Sequence, residues 1–392
     1  MVSRRHVLTG AGALALAPPV FAQARDKLAL WDNTTGPHLR GAVLVQRRVY
    51  PQIDGPEFLG PGPVGAPIAD EALDRLAQSG ANLAILSLPG IFTETAPYQL
   101  DRALFEHLDQ LVRRCADRGL YVVIGFRTGP GRSEFTFHRD SGSDWFDAAL
   151  IDERVWSDFD CHSGWALMWE ETARLLRARP NVAGYLLMVE PNANQARPGG
   201  EVWEASRLAA LVRNTPADWP ALAQRITARI RSVDPQTPIL ISPDGYASAG
   251  FAPLLDLNRH SGLVLCLHDY SPRDYTHQGM GGGQAFNPAE ALIAPPVARR
   301  WMVGEFGAVR WAPDLPGFID RRIAGLEAGG AGWAWFNWDS GWRIYEDQEN
   351  RFNLNYGADP NASWSAHGGP ALDRLRRYWR GNIARPEQIL RR

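Results

Sequence analysis

Apolar strand patterns and helical patterns alternate along this 392-residue chain, and the alternation restricts its fold more than any other feature. Apolar runs predict strands at 39–45, 82–88, 121–126, 184–190, 238–242, 262–267, 301–305 and 331–338. Helical patterns are predicted at 70–79, 100–119, 163–178, 219–233, 317–328 and 370–379. Eight strands separated by helices or long loops predict a parallel sheet that closes into a (β/α)8 TIM barrel. A doubly wound open sheet is the alternative, but no glycine-rich phosphate loop opens the first helix.

Two of the predicted strands end in a glutamate. The run 184–189 leads directly to Glu190, and the run 301–304 leads to Glu305. A carboxylate at the end of a buried strand is destabilising unless it is paired or used. Barrel enzymes build their sites at the carboxyl ends of the strands, and the longer connections 128–160, 191–218 and 269–296 all follow such ends. We therefore predict that Glu190 and Glu305 share one site; the alternative is a pair of solvated loop acids.

The first 24 residues predict a signal peptide. Arg4 and Arg5 form a twin arginine, a mildly apolar run extends to Ala17, and Ala22-Gln23-Ala24 is typical of a signal-peptidase site. A buried N-terminal helix is the alternative, but two glycines and a Pro-Pro pair make poor helix. We expect the twin-arginine export machinery to carry the folded precursor and to leave residues 25–392 as one barrel domain, periplasmic or secreted.

Composition limits the partners. The formal net charge is −2, so no basic surface argues for nucleic acid or an anionic membrane. No stretch outside the N-terminal segment is apolar over the length of a membrane span, so no membrane insertion is expected. Cys115, Cys161 and Cys266 are odd in number and lack metal-ligand spacing; we expect no metal or other cofactor, and a buried thiol at Cys266. The 15 tryptophans favour a carbohydrate ligand, because sugar-binding sites use flat aromatic faces.

Five motifs, in their order and spacing, carry a resemblance to a known family. They are Gly-Leu-Tyr-Val-Val-Ile at 119–124, Gly184-Tyr185 with Glu190-Pro191-Asn192, Leu-His-Asp-Tyr-Ser-Pro at 267–272, Val-Gly-Glu-Phe-Gly at 303–307, and Gly-Trp-Ala-Trp-Phe-Asn-Trp at 332–338. With them the chain resembles the retaining glycoside hydrolases of family 5, the cellulase-like group. These enzymes belong to a clan that places two catalytic glutamates on barrel strands four and seven.

The resemblance assigns roles to individual residues. It implies that Glu190 is the acid/base and Glu305 the nucleophile of a hydrolysis that retains anomeric configuration. It implies that His268 and Tyr270 are the sixth-strand pair, in which the tyrosine hydrogen-bonds the nucleophile. It implies an aromatic platform for the sugar at Trp335, with Trp338 as the alternative; core packing is the other interpretation of Trp335.

The chain departs from the family pattern at three positions. Ile85 stands where an arginine is usual, Arg127 where a histidine is usual, and Val189 where an asparagine normally binds the sugar 2-hydroxyl. We expect Arg127 to replace the missing cation beside the nucleophile, since a close positive charge keeps a carboxylate ionised; a loop-bridging role is the alternative. Asn192 or Asn194 could supply the missing amide.

Two classes of function fit these observations. The first is a retaining glycosidase that cleaves β-glycosidic bonds of a poly- or oligosaccharide by double displacement. The second is a non-catalytic periplasmic glycan-binding descendant of the same fold. Two buried acids favour the enzyme, because a binding protein has no use for them, whereas Val189 favours the binding protein. A metal-dependent hydrolase is disfavoured, since no spacing of histidines and acids resembles a ligand set.

Replacing both arginines of the twin pair tests the export prediction. In an Arg4→Lys, Arg5→Lys double variant the precursor should stay in the cytoplasm, because the export machinery recognises the arginine pair. Cell fractionation followed by immunoblotting measures this. Arrival of the double variant in the periplasm would instead indicate an ordinary secretory signal.

Overall fold

A closed barrel of eight parallel strands forms the centre of the described part of the chain. The strands are β1 (Arg40–Val45), β2 (Leu83–Pro89), β3 (Tyr121–Thr128), β4 (Val182–Leu186), β5 (Ile239–Ile241), β6 (Leu263–Asp269), β7 (Trp301–Phe306) and β8 (Gly332–Trp335). Each strand pairs with the next in sequence, and β1 also pairs with β8, which closes the sheet. The predicted (β/α)8 barrel is confirmed, and the open-sheet alternative is excluded because a closed ring has no edge strands.

The structure is a computed structural model that describes residues 27–51, 53–54, 63–141, 146–287, 300–338, 348–361 and 368–386. The predicted signal peptide at 1–24 lies outside these ranges. Within them, none of the helices combines the length and the apolar character that crossing a membrane requires.

Helices form at all six segments that the sequence predicts, and a seventh, α4 (Ala205–Val212), was not predicted. The longer ones are α1 (Asp70–Gln78), α2 (Arg102–Ala116), α3 (Phe159–Leu176), α4 (Ala205–Val212), α5 (Trp219–Arg231), α6 (Leu315–Ala328) and α7 (Pro370–Trp379). Helix α2 illustrates the cause. The Asp101 side chain accepts hydrogen bonds from two backbone N–H groups of the first turn, at 3.1 and 3.2 Å. The predicted apolar face is buried, namely Leu104, Leu108, Leu111 and Val112.

Strand β4 is shorter than the sequence predicts. Its ladder ends at Leu186, although the N–H groups of Leu187 and Val189 still donate to carbonyls in the neighbouring strands. Glu190 then adopts a left-handed backbone with φ of 50°. The prediction that the strand itself presents Glu190 was therefore wrong. A turn after the strand presents Glu190, and the side chain of Arg132 holds that turn.

A bulge in β7 aligns the seventh strand with the sixth. Leu267 of β6 pairs with Val303, but His268 pairs with Glu305, so Gly304 is an extra residue on β7. A side chain at Gly304 would not fit, because its Cβ would lie 2.6 Å from the Cys266 Sγ atom. Bulges near active sites re-aim side chains, and this one brings His268 level with Glu305.

More than half of the 15 tryptophans are fully buried, and these pack between strands, helices and loops. The eight are Trp156, Trp165, Trp169, Trp219, Trp333, Trp335, Trp338 and Trp379. Several indole N–H groups donate to backbone carbonyls beyond the strand ends. Trp169 donates to Leu187 at 2.8 Å, and Trp219 donates to Ser242 at 2.8 Å. The tryptophan count therefore reflects packing more than sugar binding. Cys266 is a buried free thiol, as predicted.

Closure of the barrel between β1 and β2 depends on a glycine. A Cβ atom at Gly41 would lie 1.7 Å from the backbone oxygen of Leu83, its partner in the ladder. Gly41→Ala should lower the free energy of unfolding by about 3 kcal/mol or more, because the two backbones must separate. Thermal unfolding followed by circular dichroism measures the loss.

Gly279→Ala is the matched control, since nothing lies within 4 Å of a Cβ atom there. It should change the stability by less than about 0.5 kcal/mol. Equal melting temperatures for the two variants would contradict the close approach of β1 and β2.

Candidate active site

Three side chains from three different strands meet at the carboxyl end of the barrel. Glu190 follows β4, His268 lies near the end of β6, and Glu305 lies near the end of β7. The His268 Nδ1 atom is 2.9 Å from the Glu190 Oε1 atom and 3.3 Å from the Glu305 Oε2 atom. One ligand atom from each of the three residues lies within 4.8 Å of the others. The structure thus brings together the two glutamates that the sequence analysis selected, with an imidazole between them.

The two carboxylates differ in access. The Glu190 side chain is 18% exposed, whereas those of Glu305 and His268 are 7% and 2% exposed. Glu190 therefore lies towards the opening of the site and Glu305 towards its floor.

The three groups shift one another's pKa values. Burial acts to raise the pKa of Glu190, but the hydrogen bond and the charge of His268 outweigh it and lower that pKa. Burial raises the pKa of Glu305, and the negative charge of Glu190 raises it further. Burial acts to lower the pKa of His268, yet the charges of Glu305 and Glu190 raise it well above its usual range. In the free site His268 is therefore an imidazolium, and the carboxyls titrate as one coupled pair.

Tyr270 holds the deeper carboxylate. Its hydroxyl donates to the Glu305 Oε2 atom at 2.8 Å, which is the contact that the family resemblance predicted. Burial and the charge of Glu305 raise the pKa of Tyr270 well above its usual range, so the phenol stays protonated as a donor. The ring packs edge-on against His277, Phe336 and Phe352, which fixes the direction of the hydroxyl.

Arg132 holds the backbone on which Glu190 stands. Its guanidinium is fully buried and donates to the carbonyl oxygens of Arg127 and Val189 at 2.8 Å each, and of Glu190 at 2.7 Å. These bonds replace the sheet ladder that ended at Leu186. They also hold the left-handed backbone of Glu190, which is unfavourable for a residue with a side chain.

Arg127 is buried and paired with a carboxylate that the sequence analysis did not select. Its Nη2 atom lies 2.5 Å from the Glu134 Oε1 atom, and the ring of Phe137 lies against both Arg127 and Arg132. The charge of Arg127 lowers the pKa of both Glu190 and Glu305. The charge of Arg127 reaches Glu305 through space from its pair with Glu134, and the loop-bridging alternative does not describe a buried side chain.

The amide of Asn192 does not face the cleft, so its proposed role in binding a sugar hydroxyl was wrong. Its side chain is fully buried, accepts from the Trp156 indole at 3.0 Å and donates to the Thr136 hydroxyl at 2.9 Å. Asn194 is also fully buried. Val189 packs towards Gly125, and Ile85 lies within β2, paired with Val43 and Val123.

Neither predicted tryptophan forms an aromatic platform in this structure. Trp335 is fully buried, packs against Phe306 and donates to the Phe352 carbonyl at 3.2 Å. Trp338 is fully buried as well, packs against Trp379 and donates to the Ala72 carbonyl at 3.0 Å. Both predictions were wrong because a ring held in the core on both faces offers none to a sugar.

Two residues of the site escaped the sequence analysis. Arg132 lies in the segment that was considered only for Arg127, and its partners are backbone carbonyls, which leave no pattern in sequence. Tyr246 lies after β5, and its N–H donates to the carbonyl of Pro191 at 3.0 Å, so it lies beside Glu190. The backbones of Gly245, Tyr246 and Ala247 are all left-handed. Only the glycine could have signalled that turn.

Glu190, His268 and Glu305 together could also hold a metal ion, because two carboxylates and one imidazole converge on one point. Their separation in sequence hides this arrangement, and spacing alone had argued against a ligand set. The same geometry is also suited to proton transfer without a metal, since His268 hydrogen-bonds one carboxylate and lies beside the other.

A family model for cellulases, glycosyl hydrolase family 5, matches residues 60–340, which is most of the chain. The chain belongs to glycosyl hydrolase family 5. The resemblance drawn from the five motifs is confirmed. Membership also fits the geometry, since Glu190 follows the fourth barrel strand and Glu305 lies near the end of the seventh.

Three proteins similar to this chain share less than 30% identity with it over the aligned residues. An endoglucanase from Thermotoga maritima aligns with a TM-score of 0.59 at 17% identity, over 89% of this chain and 99% of the other. An endoglucanase from Pseudomonas stutzeri aligns with a TM-score of 0.57 at 17% identity, over 90% and 97%. A β-xylosidase from Phanerodontia chrysosporium is 27% identical over 172 residues, which are 43% of this chain and 29% of the xylosidase. The solved structures support the fold, and the chain spans under a third of the xylosidase.

Replacing the imidazolium should change the pH dependence of turnover. In His268→Asn, Glu190 loses the partner that lowers its pKa, so burial dominates and the carboxyl pair ionises at higher pH. The acidic limb of kcat/KM on a 4-nitrophenyl β-glycoside should move up by about one pH unit or more.

His107→Asn is the matched control, because burial lowers the pKa of His107 to about 4 and its ring on α2 contacts Gln46 rather than either glutamate. Its acidic limb should stay in place. A limb that is unmoved in His268→Asn, or moved equally in both, would contradict the electrostatic role of His268.

Proposed function

We propose that this protein is a retaining glycoside hydrolase that cleaves β-linked glycans by double displacement on Glu190 and Glu305. The observation that carries the proposal is that carboxylate oxygens of the two glutamates approach within 4.8 Å. Retaining enzymes hold their carboxyl groups about 5–5.5 Å apart, and inverting enzymes leave about 6.5–9.5 Å for a water molecule. The short separation supports direct attack on the sugar.

In the first step Glu305 attacks the anomeric carbon while Glu190 protonates the departing oxygen. Glu305 suits the nucleophile because it lies on the floor of the site and accepts a hydrogen bond from Tyr270, which orients the attacking carboxylate. Glu190 suits the acid because it lies nearer the opening, where the leaving group departs. The C1–O bond to the leaving group breaks as the C1–O bond to Glu305 forms.

In the second step Glu190, now ionised, removes a proton from water, and the oxygen of that water attacks the anomeric carbon. The bond to Glu305 breaks and its carboxylate is restored. The Glu190 proton therefore leaves with the first product and is replaced from water, so the cycle balances.

Substrate binding must redistribute charge before the first step. In the free site His268 stabilises the anion on Glu190, whereas the reaction needs the proton there and the charge on Glu305. A glycosidic oxygen beside Glu190 displaces water, and a negative charge on Glu190 is less stable without that water. The His268 Nδ1 atom lies 2.9 Å from Glu190 and 3.3 Å from Glu305. A small movement of the imidazole towards Glu305 therefore stabilises the negative charge on Glu305 instead of on Glu190.

The departures from the family pattern bear on the substrate. Val189 packs in the barrel and the Asn192 amide is satisfied within the protein, so neither supports binding of a sugar 2-hydroxyl. This favours a glycan whose 2-position is substituted, linked or not recognised. The glycan-binding alternative keeps Val189 as its support, but it gives no reason to bury two carboxylates around an imidazolium. We place the mature protein in the periplasm or outside the cell, reached through the twin-arginine pathway.

Amide variants of the two glutamates should separate their roles. Glu305→Gln should abolish turnover of every substrate, because no covalent intermediate can form. Glu190→Gln should slow unactivated glycans about a hundredfold or more yet spare 2,4-dinitrophenyl β-glycosides in the first step, since that leaving group needs no proton. Stopped-flow measurement of the phenolate burst distinguishes the steps.

Proton NMR of the first product gives an independent check, because double displacement retains the anomeric configuration. Equal burst amplitudes in Glu305→Gln and Glu190→Gln would contradict the different roles assigned to the two glutamates. An inverted product would exclude Glu305 as nucleophile. If the wild-type protein binds glycans without releasing reducing ends, the result would favour the non-catalytic glycan-binding function.

A further inference from the structure

One segment of the loop after β3 contacts the turn that presents Glu190, and it does so on both sides of that residue. Residues 132–137 form the segment, named the strap here, and most of its side chains are buried. On one side the Arg132 guanidinium donates to the Glu190 carbonyl at 2.7 Å. On the other side the Thr136 hydroxyl accepts from the Asn192 amide at 2.9 Å. The strap therefore holds the turn at Glu190 itself and just beyond it.

An ion pair fixes the strap to the barrel. Glu134 lies in the middle of the strap, its side chain is 1% exposed, and its carboxylate accepts from the Nε and Nη2 atoms of Arg127 at 3.0 and 2.5 Å. Arg127 belongs to β3, so the pair joins the loop to a strand. The Phe137 ring covers both Arg127 and Arg132, with its centre 4.2 and 4.7 Å from the two guanidinium carbons. Glu134 thus connects a barrel strand to the segment that supports Glu190.

The loops after β1 and β2 hold the strap from its other side. The N–H of Glu134 donates to the Tyr50 hydroxyl at 3.2 Å, and that hydroxyl donates to the Glu94 carboxylate, 3.1 Å from each oxygen. The Phe135 ring packs against the rings of Tyr50 and Phe146 at 4.7 and 4.5 Å between centres. The strap is therefore held on several sides before any substrate binds.

The buried pair of Arg127 and Glu134 suggests a role in geometry more than in stability. Well-packed apolar residues of similar size are often as stable as a buried ion pair, because taking two charges out of water offsets their attraction. A charge-assisted pair with several hydrogen bonds does fix the direction of both side chains. The turn that the strap supports needs such fixation, since Glu190 has a left-handed backbone beyond the end of the β4 ladder.

We propose that Glu134 and Thr136 are positioning residues for Glu190, which act through the strap to hold its carboxyl group at the departing oxygen. The inference rests on the proposed function, in which Glu190 gives a proton in the first step and removes one in the second. The partners of the two side chains are Arg127 and Asn192, so they act on Glu190 through the backbone of the turn. A displacement of about 1 Å at a reacting group lowers a rate about a hundredfold.

The test varies how much the leaving group needs the proton. Phenyl β-glycosides need it, whereas 2,4-dinitrophenyl β-glycosides do not, and kcat/KM reports the first step for both. Glu134→Gln should lower kcat/KM for the phenyl substrate about ten- to hundredfold. It should leave kcat/KM for the dinitrophenyl substrate within about threefold, because nucleophilic attack by Glu305 is unaffected.

Azide gives a second measurement, on the second step. A misplaced Glu190 activates water poorly, but azide needs no base. Its nitrogen bonds to the anomeric carbon as the bond to Glu305 breaks, which restores the Glu305 carboxylate and forms a β-glycosyl azide. Azide should therefore raise kcat of Glu134→Gln on the dinitrophenyl substrate and leave the wild-type kcat unchanged. Mass spectrometry and proton NMR identify the azide product.

Thr136→Val is a second variant that keeps the ion pair and nearly the same side-chain volume. It removes the hydroxyl that accepts from Asn192, so it should show the same pattern with a smaller loss, about three- to tenfold on the phenyl substrate. If Glu134→Gln does not fold, Thr136→Val alone decides. An unchanged phenyl rate in Thr136→Val would overturn the proposal.

Glu327→Gln is the matched control, because Glu327 also pairs with an arginine at 2.5 Å, namely Arg40 at the amino end of the barrel. Any loss in this variant should be equal for the two substrates, with no effect of azide. Equal losses on both substrates in Glu134→Gln, or the same selective loss in Glu327→Gln, would overturn the positioning role alone. Failure of the wild type to cleave any of a panel of 2,4-dinitrophenyl β-glycosides would overturn the proposed function, and the positioning role with it.

Discussion

Two carboxylates confined in a buried site repel each other, and the surrounding structure offsets that repulsion. One oxygen of each carboxylate lies within 4.8 Å of the other. At that distance two unit charges repel by about 3 kcal/mol in a protein-like dielectric. His268 lies between them, and the charge of Arg127 acts on both. Tyr270 donates to the deeper one. Removing one charge would leave the others uncompensated, so the group functions as a unit.

Backbone strain at the site is balanced by buried polar groups. Glu190 and Tyr246 both have left-handed backbones, and each non-glycine residue of this kind costs about 1–3 kcal/mol. Arg132 satisfies the carbonyls around Glu190, and the Asp244 carboxylate accepts from the N–H groups of Asn194 and Gly245 at 2.9 and 2.7 Å. The loops after β4 and β5 therefore behave as one hydrogen-bonded piece. Strands position Glu305 and His268, whereas side chains position Glu190.

Tryptophan side chains occupy two kinds of environment in this molecule, and burial separates them. The fully buried indoles donate to backbone carbonyls where strands end, for example Trp169 to Leu187, and so stabilise the edges of the barrel. Trp203 instead donates to an exposed carboxylate and keeps a face in solvent. An indole N–H needs a partner when buried, which explains why so many loop carbonyls are engaged. Composition alone could not distinguish the two environments.

The sequence by itself determined the barrel and the two glutamates. Strand and helix patterns are local, and the carboxyl ends of parallel strands must meet at one face, so Glu190 and Glu305 had to converge. The family resemblance of the motif at 267–272 predicted the hydrogen bond from Tyr270 to Glu305, but not the contacts of His268. Only the tertiary structure decided how Glu190 is held, that Asn192 is satisfied by Trp156 and Thr136, and that Trp335 and Trp338 belong to the core. Those outcomes depend on contacts between residues far apart in sequence, and on the direction of side chains, which no local periodicity encodes.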